Sequence, residues 1–215
     1  TLCYAIETDS VGSHRICNQL MKLPLNCSVE YIPDFLDRQS AEELYRELIE
    51  HYHLDKERIV IEAGGQLITT DSFKILFSTA ELIRQDKHPE HIHGRAHVWS
   101  GAMADLREKV ERLLSNKFEI AMCLFYPDGN YFAPYHSDQE TSGERTILPS
   151  ISLGEERDFN FRDKSSGEVY SLELGNGSML VMGEWCQSRY EHTLPKIPRY
   201  EHGRINITFR EPSFQ

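Results

Sequence analysis

From residue 119 onward the chain is a succession of short β-rich runs broken by turn residues, and this pattern restricts the fold more than any other feature. The runs cover 119–125, 135–138, 147–153, 158–162, 169–174, 178–182, 190–194 and 204–210, and Pro127-Asp-Gly129 marks one of the turns between them. Many short strands at near-regular spacing predict an all-β barrel or a double-sheet jelly roll. Upstream, 29–32 reads as a strand ended by Pro33-Asp34. Ser40 and Glu43 have capping-box spacing, and Leu44, Leu48 and Ile49 recur at helical intervals, which predicts a helix over 41–52. Strands are predicted at 59–61 and near 74–78, with a turn at Gly64-Gly65 between them. A second helix is predicted over 102–115, with Met103, Leu106, Val110, Leu113 and Leu114 on one face. Residues 1–28 show no period and read as an extension to one domain at 29–215. The predicted class is α+β, a β core with two helices packed on one sheet from outside.

The last run, Arg204-Ile-Asn-Ile-Thr-Phe-Arg210, departs from ordinary core chemistry. Strand side chains alternate, so Ile205, Ile207 and Phe209 share one face while Arg204, Asn206, Thr208 and Arg210 share the other. A solvated outer face would explain such a row. A planar guanidinium also matches a carboxylate bidentately, so the row suits an anionic ligand. The two arginines would lie roughly 20 Å apart along an ideal strand. A second group is His136-Ser-Asp138, whose imidazole and carboxylate converge if the segment is extended, with His192 in a later β run. Two histidines and a carboxylate on a rigid scaffold match the facial triad of non-haem Fe(II) oxygenases, which leaves three coordination positions open. Each piece alone is commonplace; their coincidence with the arginine row points to metal chemistry.

These residues identify a resemblance. The chain resembles the AlkB family of Fe(II)/2-oxoglutarate-dependent dioxygenases through Tyr126-Pro-Asp-Gly129, His136-Ser-Asp138, Pro149-Ser-Ile-Ser-Leu-Gly154, Arg157-Asp-Phe-Asn-Phe-Arg162, Gly177-Ser-Met-Leu-Val-Met182, His192 and the 204–210 row. The resemblance implies a double-stranded β-helix (jelly-roll) core in which His136, Asp138 and His192 bind Fe(II). It implies that Arg204 and Tyr126 take the distal carboxylate of 2-oxoglutarate, that Asn206 helps hold this co-substrate, and that Arg210 contacts the end nearer the metal. O2 is the second co-substrate. The implied reaction is oxidative demethylation of N-alkylated nucleobases such as 1-methyladenine or 3-methylcytosine, in DNA or RNA, releasing succinate, CO2 and formaldehyde. Glu140, just beyond the iron aspartate, and Arg157 are the implied substrate contacts.

Several features depart from the family's pattern. Leu124 stands where the family usually has an Asn two residues before the Tyr. The 64–71 region lacks the aromatic lid usual in members acting on methylated bases; Trp99, Tyr131, Phe132 and Tyr135 are the aromatic substitutes available. Acidic residues number 34 against 23 basic, for a formal charge of −11, unlike a protein held to nucleic acid by phosphate contacts alone. Two alternatives therefore accompany the demethylase expectation: hydroxylation of a small molecule or protein side chain, and a non-catalytic metal-binding jelly roll. His88, His91, His93 and His97 cluster without the Cys or carboxylate spacing of a zinc site and read as a solvated loop. Trp185-Cys186 falls in a segment read either as a substrate-facing loop or as a plain connection. Five scattered cysteines without a Cys-x-x-Cys pair favour a reducing, intracellular (cytoplasmic) setting. Neither a signal peptide in 1–25 nor a membrane span is expected, and the expected state is a monomer.

Overall fold

The computed structural model describes residues 20–63, 65–85, 90–138 and 145–211, the side chains at 61–63, 91 and 92 excepted. Its strands in chain order are β1 (Met21–Lys22), β2 (Val29–Ile32), β3 (Arg58–Ala63), β4 (Gln66–Ser78), β5 (Arg95–Val98), β6 (Ile120–Tyr126) and β7 (Ala133–His136), followed by β8 (Leu148–Gly154), β9 (Arg157–Asp163), β10 (Val169–Leu174), β11 (Met179–Met182), β12 (Tyr190–Leu194) and β13 (Arg204–Arg210). The larger sheet runs β1-β2-β11-β8-β13-β6-β4-β3, with β5 added in parallel to β4; the smaller runs β10-β9-β12-β7. The helices are α1 (Arg38–Glu50), α2 (Ala80–Arg84), α3 (Glu90–His93), α4 (Gly101–Leu114) and α5 (Cys186–Arg189).

Period-two alternation sorts the side chains into two cores. On one face of the larger sheet Ile205, Ile207 and Phe209 of β13 join Ile151, Leu153, Met179 and Val181, and this face packs against Leu44 and Leu48 of α1 and Met103, Leu106 and Val110 of α4. On the other face Leu148, Leu180 and Met182 meet Phe161, Leu174 and Tyr190 of the smaller sheet. Strands β8 and β11 are therefore apolar on both faces, apart from serines at 150 and 152. This is the expected jelly roll, with both long helices on the larger sheet. The polar row of β13 faces inward between the sheets and forms the floor of the site.

Some predicted boundaries move for identifiable reasons. The first helix begins at Arg38 because Asp37, not Ser40, is the cap: its carboxylate accepts from the Ser40 amide at 2.9 Å and the Ser40 hydroxyl at 2.8 Å. The strand predicted near 74–78 is the buried end of a 13-residue strand, whose outer half is exposed on both faces and so shows no alternation. The strand predicted over 135–138 is Ala133–His136, which places Asp138 in the loop beyond it. Within the predicted extension, β1 pairs with β2, and Leu23 and Cys27 are buried against the inter-sheet core.

Gly129 fixes how two loops meet near the end of β6. It donates to the Tyr200 carbonyl at 2.8 Å and accepts from the Ile197 amide at 2.9 Å. A Cβ at 129 would lie 1.9 Å from the Ile197 carbonyl oxygen, a backbone atom with little room to yield. Gly129→Ala is expected to destabilise by about 3 kcal/mol, lowering the thermal midpoint by roughly 10 °C. An unchanged midpoint in a melt of the variant would show that the loops separate freely.

Candidate active site

The pairing of β12 with β7 brings the two histidines together. His192 lies directly across from His136, with a bulge following at Thr193, and their ring centroids are 4.4 Å apart. Asp138, in the loop past β7, turns back so that its Oδ2 lies 3.6 Å from His192 Nε2. One ligand atom from each of His136, Asp138 and His192 falls within 4.8 Å of the others. The metal triad expected from sequence is thus assembled in space.

Each member is held by its surroundings. His136 Nδ1 contacts the Pro134 carbonyl at 2.7 Å; a carbonyl only accepts, so Nδ1 carries the proton and Nε2 presents its lone pair. His192 is 5% exposed, stacked by Phe159 at 5.6 Å and edged by Phe161. The Asp138 backbone amide donates to Gln187 Oε1 at 2.8 Å, and Arg210 Nη2 donates to Asp138 Oδ1 at 2.9 Å. Burial pushes the Asp138 carboxyl upward, but the Arg210 guanidinium and the histidines outweigh it, so Asp138 is ionised below the ordinary carboxylate range.

Burial also lowers His192, to about 4, against the attraction of Asp138. The neutral imidazole is the metal-binding form. In the metal-free protein this has a stability consequence. Between the ordinary His value of 6.5 and about 4 the unfolded chain takes up a proton that folded His192 refuses. Stability should therefore fall as pH drops through that window and be insensitive to His192 above it. Thermal melts of metal-free protein from pH 7.5 to 4.5 should show the decline, and His192→Gln should flatten it; an equal slope in the variant would assign the decline elsewhere.

The polar row of β13 leads away from the triad. Arg204 pairs in register with Tyr126 and Gly154, and its guanidinium lies over the Tyr126 ring at 5.7 Å. Its Nη2 donates to Ser152 Oγ at 2.9 Å and Asn206 Oδ1 at 3.3 Å. Asn206 also accepts from Ser150 and donates to Thr208 at 2.7 Å, so Asn206 sets the angle of Arg204. Arg204 is 2% exposed, and burial lowers it to about 10, which leaves it charged. Among the described residues no carboxylate pairs with it, and its Nε finds no acceptor. A buried cation held only by neutral oxygens is under-compensated. A ligand carboxylate would supply the missing charge. Two imidazoles and a carboxylate suit Fe(II), and a lone buried guanidinium suits the far end of a dicarboxylic acid, so these residues fit both Fe(II) and 2-oxoglutarate. Burial raises the Tyr126 phenol, which keeps it protonated as a donor.

A cleft of about 710 Å³ opens beside this row, within the usual size of small-ligand sites. Its lining includes His136 of the triad and Tyr126, the strand neighbour whose ring lies beneath Arg204. Phe73, Phe125, Tyr131 and Phe132 give it aromatic walls. Tyr131 and Phe132 are thus the available aromatics that reach the cleft. Trp99 is stacked on Phe209 in the core, and Tyr135 lies under Arg162 at 3.8 Å. Leu124 lines the cleft without a polar group to offer. Arg157, expected at the substrate, is 1% exposed and hydrogen-bonded to the Tyr131 carbonyl, which places its side chain behind the cleft wall. Glu140 lies outside the described residues, as do His88 and the side chain of His91; His93 and His97 join no metal cluster among the described residues.

Sequence reasoning missed Gln187, Ser152 and Phe159, each of which acts on another side chain. Trp185, in the left-handed region at φ 67°, turns the chain so that α5 delivers Gln187 to Asp138. The connection before His192 therefore serves the metal site from beneath.

Comparison with known proteins agrees with this geometry. A profile of the 2OG-Fe(II) oxygenase superfamily matches residues 28–210. The alpha-ketoglutarate-dependent dioxygenase alkB homolog 3 of Mus musculus is 30% identical over 122 residues, 52% of this chain and 43% of that protein. The DNA oxidative demethylase ALKBH2 of Mus musculus is 29% identical over 122 residues, 53% of this chain and 51% of that protein. The chain spans about half the length of the curated relatives it matches. The solved structure of OsALKBH1 shares the fold, with a TM-score of 0.61 at 16% identity, covering 90% of this chain and 100% of that one.

Proposed function

Because the chain belongs to the 2OG-Fe(II) oxygenase superfamily, on its AlkB-like side, we propose that it oxidatively demethylates N-alkylated nucleobases in DNA or RNA. The observation that carries this reading is the aromatic-walled cleft shared by His136 and Tyr126. A flat π system can stack between such walls while its methyl group faces the triad, as a base displaced from its strand would. His136, Asp138 and His192 would hold Fe(II), and when bound the metal activates O2 at the positions these ligands leave open. Arg204 would pair with the distal carboxylate of 2-oxoglutarate and Tyr126 would donate to it, with Asn206 fixing the guanidinium. Arg210 keeps Asp138 ionised. One oxygen atom of O2 ends in the succinate carboxylate and the other on the methyl carbon, with loss of CO2. The N-hydroxymethyl product breaks its C–N bond to give formaldehyde and the N–H base.

The test is formaldehyde release from oligonucleotides bearing 1-methyladenine or 3-methylcytosine, in step with succinate. Succinate formation without formaldehyde from either base would remove the nucleobase and leave the oxygenase. One observation favours a second reading, hydroxylation of a small molecule: Leu67, 77% exposed, and Ile68 stand where an aromatic lid would be. Buried free thiols at Cys27, Cys123 and Cys186 support a reducing, intracellular setting, and we take the working unit to be a monomer. Among the described residues no helix is long and apolar enough to cross a membrane.

A further inference from the structure

Arg157 begins β9 and is among the most deeply buried side chains in the protein, yet its ion pair with Glu155 is long and reaches only one of its nitrogens. Its Nη1 donates to the Tyr131 carbonyl at 3.1 Å, its Nε is 3.8 Å from Glu155 Oε2, and its guanidinium lies over the Tyr200 ring at 5.4 Å. Nε and Nη2 have no hydrogen-bond acceptor among the described residues. A buried guanidinium this poorly matched is costly, and an apolar residue of the same length would serve stability as well or better. Its placement explains its presence differently.

Three loops meet at this side chain. The 127–132 loop leaves β6 after Tyr126 and supplies Tyr131 and Phe132 to the cleft wall. The 155–156 turn precedes Arg157, and its Glu155 carboxylate accepts from the amides of Glu201 and His202. The 195–203 loop leads into Arg204; its Tyr200 carbonyl accepts from Gly129, and its Tyr200 hydroxyl donates to Asp158. The first loop borders the cleft and the third enters the arginine row. Arg157 touches all three.

The geometry points to Arg157 as a positioning residue for the prime substrate: its guanidinium ties the aromatic wall at Tyr131 to the turn and loop that lead into Arg204, so that a base in the cleft is held in fixed relation to the co-substrate. This rests on the proposed nucleobase reading for its substrate, though not for its mechanical content. Arg157 itself does not line the cleft. Its loss should misplace the wall by a fraction of an ångström to an ångström, which is enough to uncouple co-substrate oxidation from oxidation of the methyl group.

The test uses Arg157→Met, which keeps length and removes the charge and the hydrogen bond. Formaldehyde released per succinate formed should fall about tenfold, and amide exchange at Gly129 and Tyr131 should quicken. A merely structural role would lower the melting temperature and the active fraction while leaving that ratio at its wild-type value, and such a result overturns the proposal. Should wild-type protein release no formaldehyde from any methylated oligonucleotide, the nucleobase reading fails by itself. Amide exchange then decides for Arg157, and wild-type protection at both amides in the variant overturns its role. If Arg157→Met does not fold, Arg157→Lys takes the same measurements. Its single ammonium cannot span Tyr131 and Glu155 together, so an intermediate loss is expected and a wild-type ratio overturns the assignment.

Discussion

Asp138→Asn is expected to leave the fold standing while metal affinity falls at least about a hundredfold, the upper end of what loss of a mere outer partner costs. The asparagine has the same shape, its backbone amide still reaches Gln187, and its carbonyl can still accept from Arg210. Scaffold contacts therefore survive. The charge does not, and the amide nitrogen presents hydrogens where a ligand needs a lone pair. Two neutral imidazoles are then left to hold a divalent ion beside an Arg210 guanidinium that no longer faces the Asp138 charge. Titration of metal-free protein with Mn(II) or Co(II), read calorimetrically, gives the affinity directly, and formaldehyde release should fall with it. Gln187→Ala provides the scale: it frees the loop at Asp138 without touching a ligand atom and should cost about tenfold. Wild-type affinity in Asp138→Asn would exclude Asp138 from the coordination sphere.

The two histidines of the triad could be read from sequence because each lies on a strand, where period two fixes the direction of a side chain. Asp138 lies in the loop past β7 and was legible only through its spacing from His136. The same rule placed Arg204, Asn206, Thr208 and Arg210 on one face, and the structure turns that face inward between the sheets. Direction is local; partnership is not. Arg210 was expected at a ligand carboxylate and is paired with Asp138, 72 positions away, because the end of β13 lies under the loop after β7. Arg157 was expected at the substrate from the resemblance alone, and the β8–β9 turn carries its side chain behind Tyr131. Gln187 gave no signal at all: its role depends on a single left-handed residue, Trp185, that no periodicity marks. Phe73 escaped notice because the exposed half of β4 hides the strand that delivers it to the cleft. Local rules and the family resemblance thus recovered the candidate chemistry and most of the strands that hold it, while the order of those strands and the contacts made through loops were not legible.

Arg204→Met should separate binding from stability, because the same burial acts oppositely on the two. In the free protein Arg204 is a desolvated cation held by Ser152 and Asn206, with no carboxylate among the described residues to offset it. A methionine of equal length removes that cost, and Asn206 retains Ser150 and Thr208, so the melting temperature of the free protein should be unchanged or higher. With 2-oxoglutarate the order reverses. Truncating one side of a buried charge pair costs about 2–5 kcal/mol, which is roughly a 30- to 4000-fold loss of affinity. The thermal stabilisation that saturating 2-oxoglutarate gives the wild type should therefore be nearly absent in the variant at the same concentration. Arg204→Lys should fall between, since its ammonium keeps the charge but cannot form the two parallel bonds of a guanidinium. Equal stabilisation of Arg204→Met and wild type by 2-oxoglutarate would mean that the distal carboxylate binds elsewhere, and Arg204 would then be a structural cation only.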